Sequence, residues 1–297
     1  MTTVNPPAGS ISFVVTVRLY SSNYVDRLLK TLESVKRPDD EVILLVSEDH
    51  PEIATFRPDW LRVAKFPGAS IFRLRGQIPA VCQREWVVLL EDHVMIEPSA
   101  IEAIRTLIRE QPDLDIIPFV AKNLTSTGTW DWAIFLFTFA LVWGPLDRPP
   151  PFAFVTSAIV RRTRLGTGAP LKDGEWELRT IPGLFQTGKH AFSNAIFIDH
   201  IKPKTLVDAV INIYYNARSG AWLQLAHGDS RIKVIREGWH NFAPRPGRLM
   251  RAVAARKHIL PAGTRVRLHV LGFTHMIGHI LGVLFGGRRA AYELDTD

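Results

Sequence analysis

ISFVVTVRLYSSNYVDRLLKTLESVKRPDDEVILLVS, residues 11–47, decides the fold. Its two ends, Ile11–Val17 and Glu41–Ser47, are short apolar runs rich in β-branched residues, the composition of strands buried on both faces. Between them Val25, Leu28, Leu29, Leu32 and Val35 recur at helical spacing behind a Ser21-Ser22-Asn23 start signal, which predicts an amphipathic helix. Strand, helix and strand in this span make one βαβ unit, and such a unit requires a parallel sheet. Glu85–Leu90 is a third strand of the same kind, and Pro98 opens a helix with Ile101, Ile104, Leu107 and Ile108 on one side. The first ~120 residues therefore read as a doubly wound nucleotide-binding half with helices on both sheet faces. In such a sheet ligands gather at the carboxyl ends of the strands, which directs attention to residues 17–22, 46–50 and 91–95.

The remainder is less regular. Trp130–Trp143 is very apolar but too short to cross a bilayer, and it runs into Pro145 and the Pro149-Pro150-Pro151 break, so it is expected to be a core or substrate-cleft helix. Leu206, Val207, Val210, Ile213 and Tyr214 predict another helix, ending at Gly220. From Leu268 to Gly287, 20 consecutive residues lack Asp, Glu, Lys and Arg. Gly278, Gly282 and Gly286 form two overlapping G-x-x-x-G steps there, suited to close helix packing. Five glycines and three histidines favour a hairpin or a helix lying in the membrane interface over a true span.

The chain carries a formal net charge of +7 and a single cysteine, Cys82. One cysteine excludes an internal disulfide and a cysteine-based zinc site, and points to a reducing compartment. Met1–Ser10 has no basic-then-apolar run of a secretory signal, so residence in the cytosol is expected. Residues 231–267 hold ten basic side chains and one acid, Glu237. Beside an apolar tail this suits phospholipid headgroups better than a base-reading surface, and nucleic acid is not an expected partner. The expected organisation is a catalytic domain over residues 1–230 and a basic, apolar helical region over 231–297 that associates peripherally with the cytosolic face of a membrane.

The segment richest in chemistry is Gly68–Pro98, GASIFRLRGQIPAVCQREWVVLLEDHVMIEP. A strand ends in Glu91-Asp92-His93, so three metal-capable side chains stand at a strand's carboxyl end. A nucleoside diphosphate leaving group needs a divalent cation there, and carboxylates and imidazole are suitable ligands. Strand alternation turns Glu91 and His93 to one side and Asp92 to the other.

These features resemble a family 2 glycosyltransferase of the GT-A fold, with Glu91-Asp92-His93 in the position of the D-x-D-type motif, Arg75 about a dozen residues before the strand and Pro98 opening the next helix. The resemblance extends to the register of Val17-Arg18-Leu19-Tyr20 with its following helix, to Ser47-Glu48-Asp49 after the second strand, and to Gly174-Glu175-Trp176-Glu177-Leu178 ahead of Gly188 and Asp199-His200. It covers residues 11–110 well and 150–220 more loosely. It implies a metal role for His93, Asp92 and His200, with Mn2+ or Mg2+ as the cation. Donor contacts are implied for Arg18, Glu48 or Asp49, Arg75, Glu91 and Asp92. Glu177 is the first choice for the general base and Glu175 the second. The expected reaction is inverting transfer from a nucleoside-diphosphate sugar to a hydroxyl of a lipid-linked or envelope glycan. Two rivals are a catalytically silent protein of the same fold that binds nucleotide or scaffolds a membrane complex, and a nucleic-acid-binding protein suggested by pI alone.

Overall fold

The computed structural model describes residues 7–17, 22–47, 58–124, 128–166, 168–201, 205–242, 245–254 and 260–287. The chain forms two compact units, residues 1–122 with 144–199, and residues 123–143 with 200–297.

The first unit is built on β1 (Ile11–Thr16), α1 (Ser22–Val35), β2 (Glu41–Val46) and β3 (Leu61–Lys65). A cap follows of two short helices, α2 (Ile71–Gly76) and α3 (Ile78–Val81), and then β4 (Trp86–Glu91) and β5 (Val94–Ile96). Next come α4 (Pro98–Glu110), β6 (Ile116–Pro118) and β7 (Val120–Lys122). The strand order is β3-β2-β1-β4, all parallel, so the expected βαβ start is present and β4 lies beside β1. β8 (Ala158–Arg161) joins antiparallel to β4 and carries β6 beyond it. A smaller sheet runs β5-β9-β7, with β9 (Phe197–His200) parallel to β7.

Alternation along the strands separates two faces. Phe13, Val15, Leu44, Val88 and Leu90 form one core with Leu28, Leu32, Ile101 and Ile104 of α1 and α4. The intervening residues, ending in Thr16 and Glu91, point the other way. One ion pair locks α4 to the start of the sheet. Arg105 Nη2 donates to Asp40 Oδ2 at 2.5 Å, both side chains being buried, while Asp40 also accepts from the backbone N–H of Ile11 and Arg37. Asp115, at the foot of β6, accepts a two-pronged bond from Arg164 at 2.7 and 2.8 Å and a third from the N–H of Lys189. Gly188 is required beside it, because an added Cβ would lie 2.6 Å from the Leu184 carbonyl and 3.1 Å from the Asp115 Cβ.

The second unit is helical: α5 (Thr129–Phe139), α7 (Leu206–Ala226), α8 (Arg231–Phe242), α9 (Arg245–Ala254) and α10 (Thr264–Phe285); α6 (Ile181–Thr187) belongs to the first. The apolar stretch from Trp130 is a core element here, its Trp132, Phe135 and Trp143 rings meeting edge to face at 5.5–5.9 Å. α10 packs along α7 through glycines, since a Cβ on Gly278 or Gly282 would lie 2.4 Å from the carbonyl of Tyr214 or Arg218. Gly286, the third of the series, has φ 75° and caps the helix instead. α7 runs on through Gly220 to Ala226, past the expected stop. The packing against α10 outweighs a penalty of about 1 kcal/mol for a glycine in mid-helix. The helical body thus takes in α5 and α7 and begins before residue 231. α10 is long and apolar enough to cross a membrane by length and composition.

Candidate active site

The site grows from the carboxyl end of β4. Glu91 is the last residue of that strand, a turn holds Asp92 and His93, and β5 begins at Val94. The N–H of Asp92 donates to the Thr16 carbonyl at 3.2 Å, so the turn is tied to the end of β1. Because Glu91 points away from the α1–α4 core, its carboxylate faces the side on which α2 lies. Ser70 caps α2 by accepting from the Arg73 N–H, which sets the helix so that Arg75 is buried.

Arg75 joins two carboxylates distant in sequence. Its Nη2 donates to Glu91 Oε1 at 3.0 Å and its Nη1 to Glu177 Oε1 at 2.9 Å, the three side chains being 5%, 11% and 10% exposed. Glu177 reaches this position on a π-helical turn, Trp176–Thr180. Trp176 anchors that turn, fully buried and donating from Nε1 to the Val155 carbonyl at 2.7 Å. Gly76 permits the approach of the preceding segment: the Leu171 N–H donates to the Gly76 carbonyl at 2.8 Å, and a Cβ on Gly76 would stand 2.8 Å from the Leu171 carbonyl. Burial pushes the Glu177 carboxyl above its usual range, and the Arg75 guanidinium only partly opposes this. Its second oxygen, Oε2, is buried without a hydrogen-bond partner among the described residues.

On the other side of Glu91, its Oε2 lies 3.8 Å from His93 Nε2, and His93 Nδ1 is 2.6 Å from Asp92 Oδ1. A carboxylate only accepts, so the close contact places the ring proton on Nδ1 and makes Nε2 the basic nitrogen on the Glu91 side. His200 ends β9, a strand of the first unit's smaller sheet, and is the first residue past the division between the units. Ligand-capable atoms of Glu91, His93 and His200 all lie within 4.8 Å of one another. Two imidazoles and one carboxylate are a donor set for a divalent transition ion such as Mn2+ more than for Mg2+, which prefers oxygen. Asp92 stands behind His93 in this arrangement, where it orients the ring.

Of the other residues singled out from sequence, Glu175 accepts the Lys172 N–H at 3.0 Å and closes the turn before the π-helical segment, apart from the Arg75 pair. Arg18, Glu48 and Asp49 lie outside the described residues. The grouping of Glu91 with His93 was legible from strand alternation. The anchoring by Trp176 and Gly76 was not, and only the unusual pairing of a tryptophan between two glutamates hinted at it.

Neither a protein-family model nor a curated protein matches the sequence. Solved structures do. The mannosyltransferase PcManGT from Pyrobaculum calidifontis, in complex with GDP-Man and Mn2+, is similar at a TM-score of 0.55 and 12% identity, over 92% of this chain and 87% of that one. This chain has a glycosyltransferase fold. S. aureus TarS 1-349 superposes with a TM-score of 0.48 at 14% identity, and its complex with UDP-GlcNAc with 0.49 at 15%, each over 91% of this chain and 89% of that one. At 12% identity the likeness to the mannosyltransferase is one of fold alone.

Proposed function

We propose that this protein is an inverting, nucleotide-sugar-dependent glycosyltransferase of the family 2 type. The observation that carries the proposal is the Arg75 bridge. It ties a carboxylate of the cation-capable group, Glu91, to a second buried carboxylate, Glu177, whose proton affinity is raised and whose Oε2 has no partner among the described residues. That is the equipment for steadying a leaving diphosphate on one side and taking a proton on the other.

Glu91, His93 and His200 would hold the cation, with Asp92 fixing the His93 ring. When bound, a divalent cation neutralises charge developing on the departing diphosphate. Arg75 holds Glu177 in place and supplies positive charge beside the same phosphates. Glu177 Oε2 accepts the proton of the acceptor hydroxyl as the acceptor oxygen bonds to the anomeric carbon. The bond from that carbon to the diphosphate breaks, its electron pair leaves with the diphosphate, and configuration at carbon inverts. A carboxyl with raised pKa is a stronger base than an ordinary glutamate. The expected acceptor is a lipid-linked or envelope glycan at the cytosolic face of a membrane, consistent with the basic and apolar C-terminal helices.

The test measures release of nucleoside diphosphate from GDP-mannose and UDP-GlcNAc with Mn2+, for the native protein, His93→Ala and Glu177→Gln. Glu177→Gln is expected to lose about 10²–10⁴-fold in turnover while still binding nucleotide. Binding of nucleotide by the native protein with no release from any donor and acceptor pair would favour the silent relative instead.

A further inference from the structure

We propose that the helical second unit docks on anionic phospholipid bilayers through the outer face of α10, with that helix lying in the plane of the headgroup region. The inference is independent of the donor-site chemistry. From Val270 onward every exposed residue of α10 is apolar: Val270, Phe273, Ile277, Ile280, Leu284 and Phe285, between 37% and 73% exposed. Steps of three and four residues place the first five on one stripe about 20 Å long. A helix surface of that extent whose exposed residues are all apolar needs a partner. Beside the stripe, Val210, Ile211, Tyr214 and Tyr215 of α7 and Thr274 and Ile277 of α10 line an apolar groove of about 240 Å³.

Charge identifies the partner. α8 packs against α10, His279 Nε2 donating to the Val234 carbonyl at 2.8 Å where Gly238 leaves room for the ring. α8 exposes Ile232 and Trp239 together with Arg231, Lys233 and Arg236. An aromatic and aliphatic face flanked by cations is matched by anionic headgroups over acyl chains. A second copy of the chain would bring these basic flanks together, with Glu237 the one acid in residues 231–267 to offset them. The same helix also dictates the orientation. With α8 fastened alongside, α10 could cross a bilayer only by drawing Arg231, Lys233 and Arg236 into hydrocarbon, which is costly. Its inner face is already committed to α7 through Gly278 and Gly282.

The experiment is flotation of the full chain with vesicles of phosphatidylcholine alone and of phosphatidylcholine mixed with phosphatidylglycerol. The native protein is expected to float with the anionic vesicles only and to be released by alkaline carbonate. Phe273→Ser with Ile277→Ser and Leu284→Ser, three exposed positions, should weaken binding at least about tenfold. Arg231→Gln with Lys233→Gln and Arg236→Gln, which leaves the apolar stripe intact, should bind more weakly and lose most of its salt dependence. Failure to float with either vesicle, unchanged flotation of both variants, resistance to carbonate, or a stable dimer dispersed by the serine variant without lipid binding would each overturn the proposal.

Discussion

At the scale of single residues the account turns on how one guanidinium divides itself between two acids. Glu177 is pushed up from an ordinary value of 4.5 chiefly by burial. A carboxyl raised in the folded state costs stability as pH rises from that value through the folded one, and the cost is fully present above it. Glu177→Gln removes this penalty and keeps an acceptor for Arg75. Its melting temperature should therefore gain on the native protein's from acid toward neutral pH, while the turnover limb that rises with pH disappears. A calorimetric series and a pH–rate profile check both halves, and a variant that keeps the limb would exonerate Glu177 as the base. Asp92 acts through His93: with the 2.6 Å contact to Nδ1 removed, Asp92→Ala should weaken Mn2+ binding by about 10–100-fold with little change in nucleotide affinity without metal. Equal Mn2+ affinities by titration calorimetry would remove it from that role. Glu91, Asp92 and His93 stood out in the sequence because they end a strand at the carboxyl edge of a doubly wound sheet, where ligands gather. The Arg75 bridge did not, since it joins residues 102 apart whose meeting depends on α2 and the π-helical turn.

Among the elements, the long periodic ones were legible and the short ones were not. α1 and α4 announce themselves by apolar residues every three or four positions, and Pro98 marks the start of α4 where the structure has it. β5, β6 and β7 have three residues each. A segment of that length has no period of its own and becomes a strand only because a neighbour pairs with it. The α4 anchor should be sensitive to loss of one partner: Arg105→Ala leaves Asp40 buried and is expected to destabilise the first unit by about 3–5 kcal/mol in urea. A loss below 1 kcal/mol would mean that backbone donors alone satisfy that carboxylate. In the helical unit, Gly278→Val must push α7 away, because the Tyr214 carbonyl occupies the space of any Cβ. A cost of about 1–3 kcal/mol is expected, and unchanged melting would show that α7 and α10 do not rely on this contact.

For the molecule as a whole, composition and the opening βαβ unit were enough to place a mostly parallel sheet, and the solved mannosyltransferase shares the fold at 12% identity. The organisation of the C-terminal part was harder to read. Basic residues concentrate after 231 and suggest a boundary there, yet the helical body begins at residue 200 and recruits 123–143. Charge density reports what a surface faces, whereas membership of a compact unit is decided by which apolar faces meet, and α7 and α5 carry those faces without a change in charge. The most direct trial of the central claim is an anomalous-difference map from crystals grown with Mn2+ and GDP or UDP. The account predicts a single strong peak bounded by Glu91, His93 and His200, with the diphosphate on it and Arg75 beside the phosphates. A nucleotide and ion bound elsewhere, with His93 still turned only to Asp92, would contradict it.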